Sequence, residues 1–347
     1  GEAVMIFEQI VTGGCLSYLL GCPERCAAVV IDPEASQIDR YLGLAAKDGL
    51  RIHYVIDTHT HADHFSGARA LKAATGALIV MNKLSPFPFA DLRLDDGEIL
   101  KVGELKLQAL LTPGHTRDSM CILASDRVFT GDTLLIGGTG RSDLPTGNPD
   151  QLYDSLFNRL LKLPPATLVY PAHDYKGRSH SDIGTEIASN PRLQKTDRAE
   201  FIAMMEHLDL AAPTHLTEAL RTNLSGAKTV AGLLAAAAAR VPFVAMDDLA
   251  AALAAGNAGY VLLDVREKDA FDAGHIIGAL HLPRGQLELR VNDMLPDPTA
   301  RILTICEFGR ISTLAAATLR DLGFTRAAAL DGGVKAWREA GLPLVGG

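Results

Sequence analysis

Thr58-His59-Thr60-His61-Ala62-Asp63-His64 packs four potential metal ligands into six residues, and the fold is read outward from it. The segment follows Tyr54-Val55-Ile56, an apolar run that reads as the end of a buried strand. On an extended backbone, residues two apart share a face, so His59 and His61 are placed to converge on one ion. Asp63 and His64 fall past the strand end, where the chain turns toward a neighbouring site. A lone histidine is more often a hydrogen-bonded residue than a ligand. Four such groups in one window point to a metal.

Three more groups lie where the same site would need them. Thr112-Pro113-Gly114-His115-Thr116, Phe129-Thr130-Gly131-Asp132-Thr133 and Val169-Tyr170-Pro171-Ala172-His173 each set a ligand type after an apolar run. Gly114 and Gly131 let the backbone approach closely there without a Cβ clash. Each motif is weak alone, and Asp132 by itself reads as a turn or cap residue. Strand-like runs at Ala27–Ile31, Ala77–Val80, Leu105–Leu111 and Thr167–Tyr170 alternate with helical stretches up to about residue 220. That is the pattern of a layered α/β fold presenting a site at its sheet edges.

The 347 residues suit two domains, with 48% hydrophobic content for two cores. A net charge of −8 and no Lys/Arg block argue against nucleic-acid binding. No apolar run approaches the roughly 20 residues that span a bilayer. No basic region followed by an apolar core marks a secretory signal, and Met5 reads as the natural start. Five cysteines make a disulfide framework an improper fit, and a reducing, cytoplasmic compartment is expected. Cys15 and Cys121, among apolar neighbours, read as small buried hydrophobes. Cys22 and Cys26 have no second pair to make a structural zinc site.

Taken in order, these motifs resemble the metallo-β-lactamase superfamily over residues 5–220. The resemblance implies an αββα sandwich of two mixed sheets flanked by helices. In dinuclear members, His59, His61 and His115 would form one metal site, Asp63, His64 and His173 the other, with Asp132 bridging. Gly137-Gly138-Thr139-Gly140-Arg141-Ser142-Asp143-Leu144-Pro145-Thr146-Gly147, Tyr170-Pro171-Ala172-His173-Asp174-Tyr175-Lys176-Gly177 and Asn190-Pro191-Arg192-Leu193 resemble persulfide dioxygenases of the ETHE1 type. Glyoxalase II usually carries an aromatic-rich stretch where this chain has Arg141-Ser142-Asp143. The persulfide dioxygenase resemblance implies a single Fe(II) per chain held by His59, His115 and Asp132, with open positions for substrate sulfur and O2. His61, Asp63, His64 and His173 would orient those ligands and tune the iron. Arg141 would clamp a glutathione carboxylate, and Tyr175 and Arg192 would line the pocket. An ordinary surface salt bridge is an equal reading of Arg192.

Leu224 to Arg240, with its alanine run, reads as a connecting helix bounded by Pro242. The expected division is residues 1–223, a linker over 224–242, and a second α/β domain over 243–347. Val261–Val265 and Ile302–Ile305 read as core parallel strands, and Ala315 to Leu322 as a helix stopped by Gly323. Cys306 follows a strand and opens the loop Cys306-Glu307-Phe308-Gly309-Arg310-Ile311-Ser312 into a helix. Backbone N–H groups and the helix dipole there would favour a thiolate, although a cysteine after an apolar strand is more often buried and inert. Leu263-Asp264-Val265-Arg266-Glu267, Phe271, Gly274-His275-Ile276-Ile277-Gly278-Ala279 and Leu330-Asp331-Gly332-Gly333-Val334-Lys335-Ala336-Trp337 resemble the rhodanese domain. In it, Asp264, Arg266, His275 and Trp337 would be structural. Rhodaneses commonly have Arg five residues after the cysteine; this chain has Ile311, with Arg310 one place earlier, which puts oxyanion binding by that Arg in question.

The resemblances together imply a bifunctional sulfur enzyme. Glutathione persulfide would be oxidised by O2 to sulfite and glutathione, and a Cys306 persulfide would exchange sulfur between thiosulfate and glutathione. A shared reactive intermediate is a reason for the fusion. The rival is a dinuclear zinc thioester hydrolase resembling glyoxalase II, with a rhodanese domain that is non-catalytic or regulatory. A homodimer is compatible with the sequence.

Overall fold

Alternation of side chains along the strands organises the first half of the chain. In Cys15–Cys22, Leu16, Tyr18 and Leu20 face one way and Leu19 the other; in Ala27–Ile31, Val29 and Ile31 oppose Ala28 and Val30. Both faces are buried, so each sheet must be covered twice. The computed structural model, which describes residues 4–346, meets this with two six-stranded sheets packed face to face. Sheet one runs, edge to edge, Ile6–Thr12 (β1), Cys15–Cys22 (β2), Ala27–Ile31 (β3), Arg51–Ile56 (β4), Leu78–Asn82 (β5) and Leu92–Leu94 (β6). Its first two pairings are antiparallel and the rest parallel.

Sheet two contains Ile99–Val102 (β7), Leu105–Leu111 (β8), Met120–Ala124 (β9) and Arg127–Gly131 (β10), an antiparallel series. A short hairpin, Leu134–Leu135 (β11) and Gly138–Thr139 (β12), intervenes before Leu168–Pro171 (β13) pairs parallel with β10 and Ser181–Asp182 (β14) closes the edge. Helices Ile38–Lys47 (α1) and Ala68–Thr75 (α2) cover the outer face of sheet one through Tyr41, Ala45 and Leu71. Pro149–Phe157 (α3), Ile183–Ser189 (α4) and Arg198–Glu206 (α5) cover sheet two through Leu152, Leu156, Ile183 and Phe201. This is the αββα sandwich. Helix α6, Leu216–Ser225, completes the first unit, which ends at Ala227.

The second unit begins at Lys228. Its five strands, Phe243–Val244 (β15), Val261–Asp264 (β16), Leu280–His281 (β17), Ile302–Ile305 (β18) and Ala328–Leu330 (β19), are all parallel in the order β15-β19-β18-β16-β17. A parallel sheet must be covered on both faces. Leu287–Met294 (α10) and Arg310–Asp321 (α11) supply one cover, and Met246–Ala254 (α8) and Gly333–Glu339 (α12) the other, with Lys268–Ala273 (α9) after β16. The expected linker is corrected here. Its alanine helix, Val230–Ala238 (α7), is part of the second unit: Ala237 and nearby Val241 pack on Ala316, Ala317 and Ala329. Small side chains permit that close helix contact, so the run that looked unspecific is packed. No helix among the described residues is long and apolar enough to cross a membrane.

At the end of β16, Asp264 is fully buried and binds the Arg266 guanidinium through both oxygens, at 3.0 Å to Nε and 2.7 Å to Nη2. Trp337, the sole tryptophan, is buried in the same unit and donates to Pro343 O at 3.0 Å. Its fluorescence therefore reports this unit alone. Asp264→Ala leaves the buried Arg266 with only its single contact to Glu307 as counter-charge and is expected to cost about 3 kcal/mol, read as a lower denaturant midpoint of Trp337 emission in the full-length chain; an unchanged midpoint would refute the pairing's structural weight.

Candidate metal centre and thiol loop

Each metal-ligand candidate follows a strand end. His59 follows β4, His115 follows β8, Asp132 follows β10 and His173 follows β13, so the sandwich gathers them at one rim. Gly131 takes a positive φ of 51°, and a Cβ there would strike Thr58 Oγ1 at 2.5 Å. At Gly114 (φ 143°) a Cβ would meet the Leu152 backbone at 2.4 Å. Both turns need glycine to bring the ligand loops this close.

The ligand atoms of His59, His115 and Asp132 lie within 4.8 Å of one another, and all three residues are buried. His59 Nδ1 is 3.0 Å from Thr58 Oγ1, whose hydroxyl donates to Asp32 Oδ2 at 2.8 Å. The imidazole must therefore donate from Nδ1, which leaves a lone pair on Nε2. His115 Nδ1 donates to Arg141 O at 2.7 Å, with the same result. His59 Nε2 and His115 Nε2 stand 3.7 and 3.4 Å from Asp132 Oδ2. His59 Nε2 is buried without a hydrogen-bond partner among the described residues. Burial, with the neighbouring His61 charge, holds His59 well below the usual histidine range, so its ring is neutral. Burial alone would raise the Asp132 carboxyl, but His173, 2.5 Å from Oδ1, outweighs it and keeps the group ionised. Two imidazoles and one carboxylate on one face, with an unsatisfied buried nitrogen, fit a divalent transition metal.

The His59 and His61 rings lie 4.2 Å apart, but His61 groups with Asp32 and Asp57 and not with His59, His115 and Asp132. Residues 57–64 leave the strand and form bends, so the two-residue alternation ends at Ile56. His61 Nε2 turns to two buried carboxylates, Asp32 at 3.1 Å and Asp57 at 3.6 Å. Despite burial, those carboxylates raise His61 well above the histidine range. A third group brings Asp63, His64 and His173 together with Cys15, again within 4.8 Å. The apolar reading of Cys15 is corrected by this placement: the thiol is half-buried, and burial is outweighed by His173 and His64, which bring it down to about 7. Its neighbours in sequence are apolar, but its neighbours in space are imidazoles. Cys121 is a buried thiol pushed up to about 12 by burial.

A cavity of about 710 Å³ opens over the centre, lined by Cys15, Asp132, His173, Tyr175 and Arg192 among others. Arg141 borders it, but its fork is taken: Nε and Nη2 bind Asp143 at 2.6 and 2.8 Å, and Nη1 donates to Ala211 O at 2.6 Å. It ties the 210–211 loop down, leaving the clamp expected of it already occupied. Arg192 donates from Nη1 to Thr139 O at 2.7 Å and Thr139 Oγ1 at 3.1 Å, and burial alone lowers it, with no carboxylate compensating. Among the described residues, no carboxylate pairs with this cation at the cavity wall. Tyr175 is 78% exposed, lies against Gly14 and stacks near His173, the planes within 14°.

Several supporting residues escaped the sequence reading. Asp32 accepts from the Thr58 N–H at 2.8 Å as well as from its hydroxyl. Asp118 accepts from the Thr60 N–H and hydroxyl and from the Thr116 hydroxyl. Asn223 on α6 donates to His61 O and His64 O, both at 2.9 Å, holding the histidine segment from outside. Asp32-Pro33 directly after a strand was a usable signal for the first. Asn223 had none, because its partner segment is remote in sequence.

In the second unit, Cys306 leaves β18 and the loop folds back over its sulfur. Gly309 N–H donates to Sγ at 3.1 Å and Ser312 N–H at 3.2 Å, with Ser312 Oγ also at 3.2 Å. Gly309 has φ 85°, which points its N–H inward. Glu307 is held by Arg266 and Arg338, each at 3.0 Å, while Val334 N–H binds Cys306 O at 2.9 Å. Phe308, Arg310 and Ile311 are exposed around the loop mouth. His275 Nδ1 donates to Phe271 O at 2.8 Å and orders its loop.

Residues 11–173 match the metallo-beta-lactamase superfamily, and residues 245–340 match the rhodanese-like domain. Persulfide dioxygenase ETHE1, mitochondrial, of Homo sapiens is 36% identical over 228 residues, 65% of this chain and 89% of that protein. The crystal structure of ETHE1 from Myxococcus xanthus is 43% identical, covers 64% of this chain and 99% of its own, and superposes with a TM-score of 0.63. A hydroxyacylglutathione hydrolase of Polaromonas sp. is 37% identical over 180 residues, 49% of this chain and 67% of that protein. The chain belongs to the metallo-β-lactamase superfamily, with ETHE1-type persulfide dioxygenases as homologues of its first unit, and carries a C-terminal rhodanese-like domain.

Proposed function

We propose that the first unit oxidises a low-molecular-weight persulfide, chiefly glutathione persulfide, with O2 and water to sulfite and the free thiol. One Fe(II) per chain would be held by His59, His115 and Asp132, and would supply adjacent positions for substrate sulfur and O2. The observation that supports this reading most is the lone-pair arrangement: both imidazoles are turned Nε2-inward by fixed partners on Nδ1, beside the free oxygen of Asp132. His173 holds the other Asp132 oxygen, so the carboxylate cannot rotate away from the face. Arg192 would bind a glutathione carboxylate, since no carboxylate among the described residues pairs with it. Tyr175 would cover the thiol stem, and Arg141 would keep the cavity wall in place.

The second unit would transfer sulfur. Cys306 Sγ attacks the outer sulfur of thiosulfate, the S–S bond breaks, and sulfite leaves. A thiol such as glutathione then attacks the Cys306 persulfide and carries the sulfur away as glutathione persulfide. The N–H groups of Gly309 and Ser312 are placed to stabilise a sulfur anion at each stage. With Ile311 exposed at the loop mouth, anion recruitment would fall to Arg310. Five free thiols suit a reducing compartment such as the cytoplasm.

A second reading, a dinuclear zinc thioester hydrolase, is favoured by one observation: His61 Nδ1 and His64 Nε2 are also buried without hydrogen-bond partners among the described residues. Metal analysis with an oxygen electrode separates the two. Iron-loaded protein is expected to hold about one iron and to consume O2 with glutathione persulfide; two zinc ions, thioester hydrolysis and no uptake would replace the reading. Thr58→Val removes the group that orients His59 and is expected to weaken metal binding by about 10–100-fold, measured by chelator competition. Cys306→Ser should abolish thiosulfate-dependent sulfite release while leaving O2 uptake intact. Sulfite release at the unmodified rate would remove the transferase role.

A further inference from the structure

Cys15 opens β2 and lies against the turn that carries His173. Leu16 N–H donates to Ala172 O at 2.7 Å and Asp174 N–H to Gly14 O at 3.0 Å, so the thiol rides on paired backbone. It shares the cavity wall with Asp132 and Tyr175. Its Sγ lies within 4.8 Å of the ligand atoms of Asp63, His64 and His173. His64 contacts Asp63 through Nδ1 at 3.1 Å, and its Nε2 is buried with no hydrogen-bond partner among the described residues. An imidazole nitrogen otherwise without a partner thus stands beside the thiol. No other cysteine belongs to this cluster, so a disulfide is not its purpose. The persulfide oxidation proposed above uses neither the thiol nor that nitrogen.

We propose that Cys15 is a sulfur-acceptor site inside the metal cavity: its sulfur takes the outer sulfur of a low-molecular-weight persulfide and becomes a Cys15 persulfide. The proposal rests on the persulfide reading of the same cavity. The Cys15 Sγ–S bond forms as the RS–S bond breaks, and RS⁻ leaves as the electron pair's carrier. His64 is placed to take the Cys15 proton and return it to RS⁻, so one thiol and one persulfide give one persulfide and one thiol. The transferred sulfur keeps its oxidation state, and no oxidant is required. Attack at the outer sulfur is expected because that end of the substrate must point at Asp132 for oxidation, and Cys15 lines the same wall. The consequence is a second sulfur-carrying cysteine besides Cys306, located where a persulfide waits when O2 is scarce.

The test uses iron-free full-length protein, mixed without oxygen with less than one equivalent of glutathione persulfide, then alkylated, digested and mapped by mass. The peptide holding Cys15 is expected to gain one sulfur atom ahead of the peptide holding exposed Cys26, in the unmodified protein and in Cys306→Ser alike. A Cys15 peptide that stays unmodified, gains sulfur no faster than Cys26, or carries glutathione as a mixed disulfide overturns the proposal. O2 uptake by the iron-loaded protein is measured in parallel. Uptake with an unmodified Cys15 removes this site alone; sulfur on Cys15 without uptake keeps the acceptor site and removes the oxidation.

Discussion

Buried charge must be paired, and the rim of the sandwich is organised by that requirement. Asp32, Asp57, His61, Asp132 and His173 are nearly or wholly removed from water. An isolated carboxylate or imidazolium could not stay there, so each has an opposite or hydrogen-bonding partner. Asp32 faces His61 and Thr58; Asp132 faces His173. Through Thr58, Asp32 also sets the ring of His59, and through His173 the second group of ligands sets the carboxylate of the first. What looks like a crowd of ligands is a chain of constraints that turns His59 Nε2, His115 Nε2 and one Asp132 oxygen toward one another.

The sheets matter because they make those constraints rigid. Strand ends β4, β8, β10 and β13 come from both sheets, and the apolar layer between them, with Tyr18, Phe129 and Tyr170 in mutual ring contact, leaves the ends no freedom to drift. Glycines at 114 and 131 then allow an approach that any side chain would block. In the second unit the same logic serves a thiol. A parallel strand delivers Cys306 to a loop whose N–H groups converge on sulfur, and the Arg266–Asp264 pair beneath it fastens Glu307 in the loop.

The legible part of the fold was its strands. Ala27–Ile31 and Ile302–Ile305 end where their apolar runs end, since they are buried throughout, and Leu105–Leu111 is marked instead by alternation of buried Leu105, Leu107 and Ala109 with Lys106 and Gln108. The alanine run was harder. Ala237 has high helix propensity, but whether its helix spans or packs depends on the small residues Ala316 and Ala317 that receive it, far along the chain. Arg141 illustrates a different gap: the residue type announced a carboxylate partner, and Asp143, two places on, took it.

From the sequence alone came the donors and the order in which they occur, because ligand types must follow strand ends and glycine must stand beside them. Tertiary structure alone decided which lone pairs face one another. His59 and His61, two residues apart, have their rings side by side, but the chain leaves the strand between Ile56 and Thr58, and the buried carboxylates Asp32 and Asp57 hold His61 Nε2. Cys15 gained imidazole neighbours only when β2 met the turn after β13. Orientation and cross-sheet proximity are set by packing and charge pairing, which no local stretch of sequence contains.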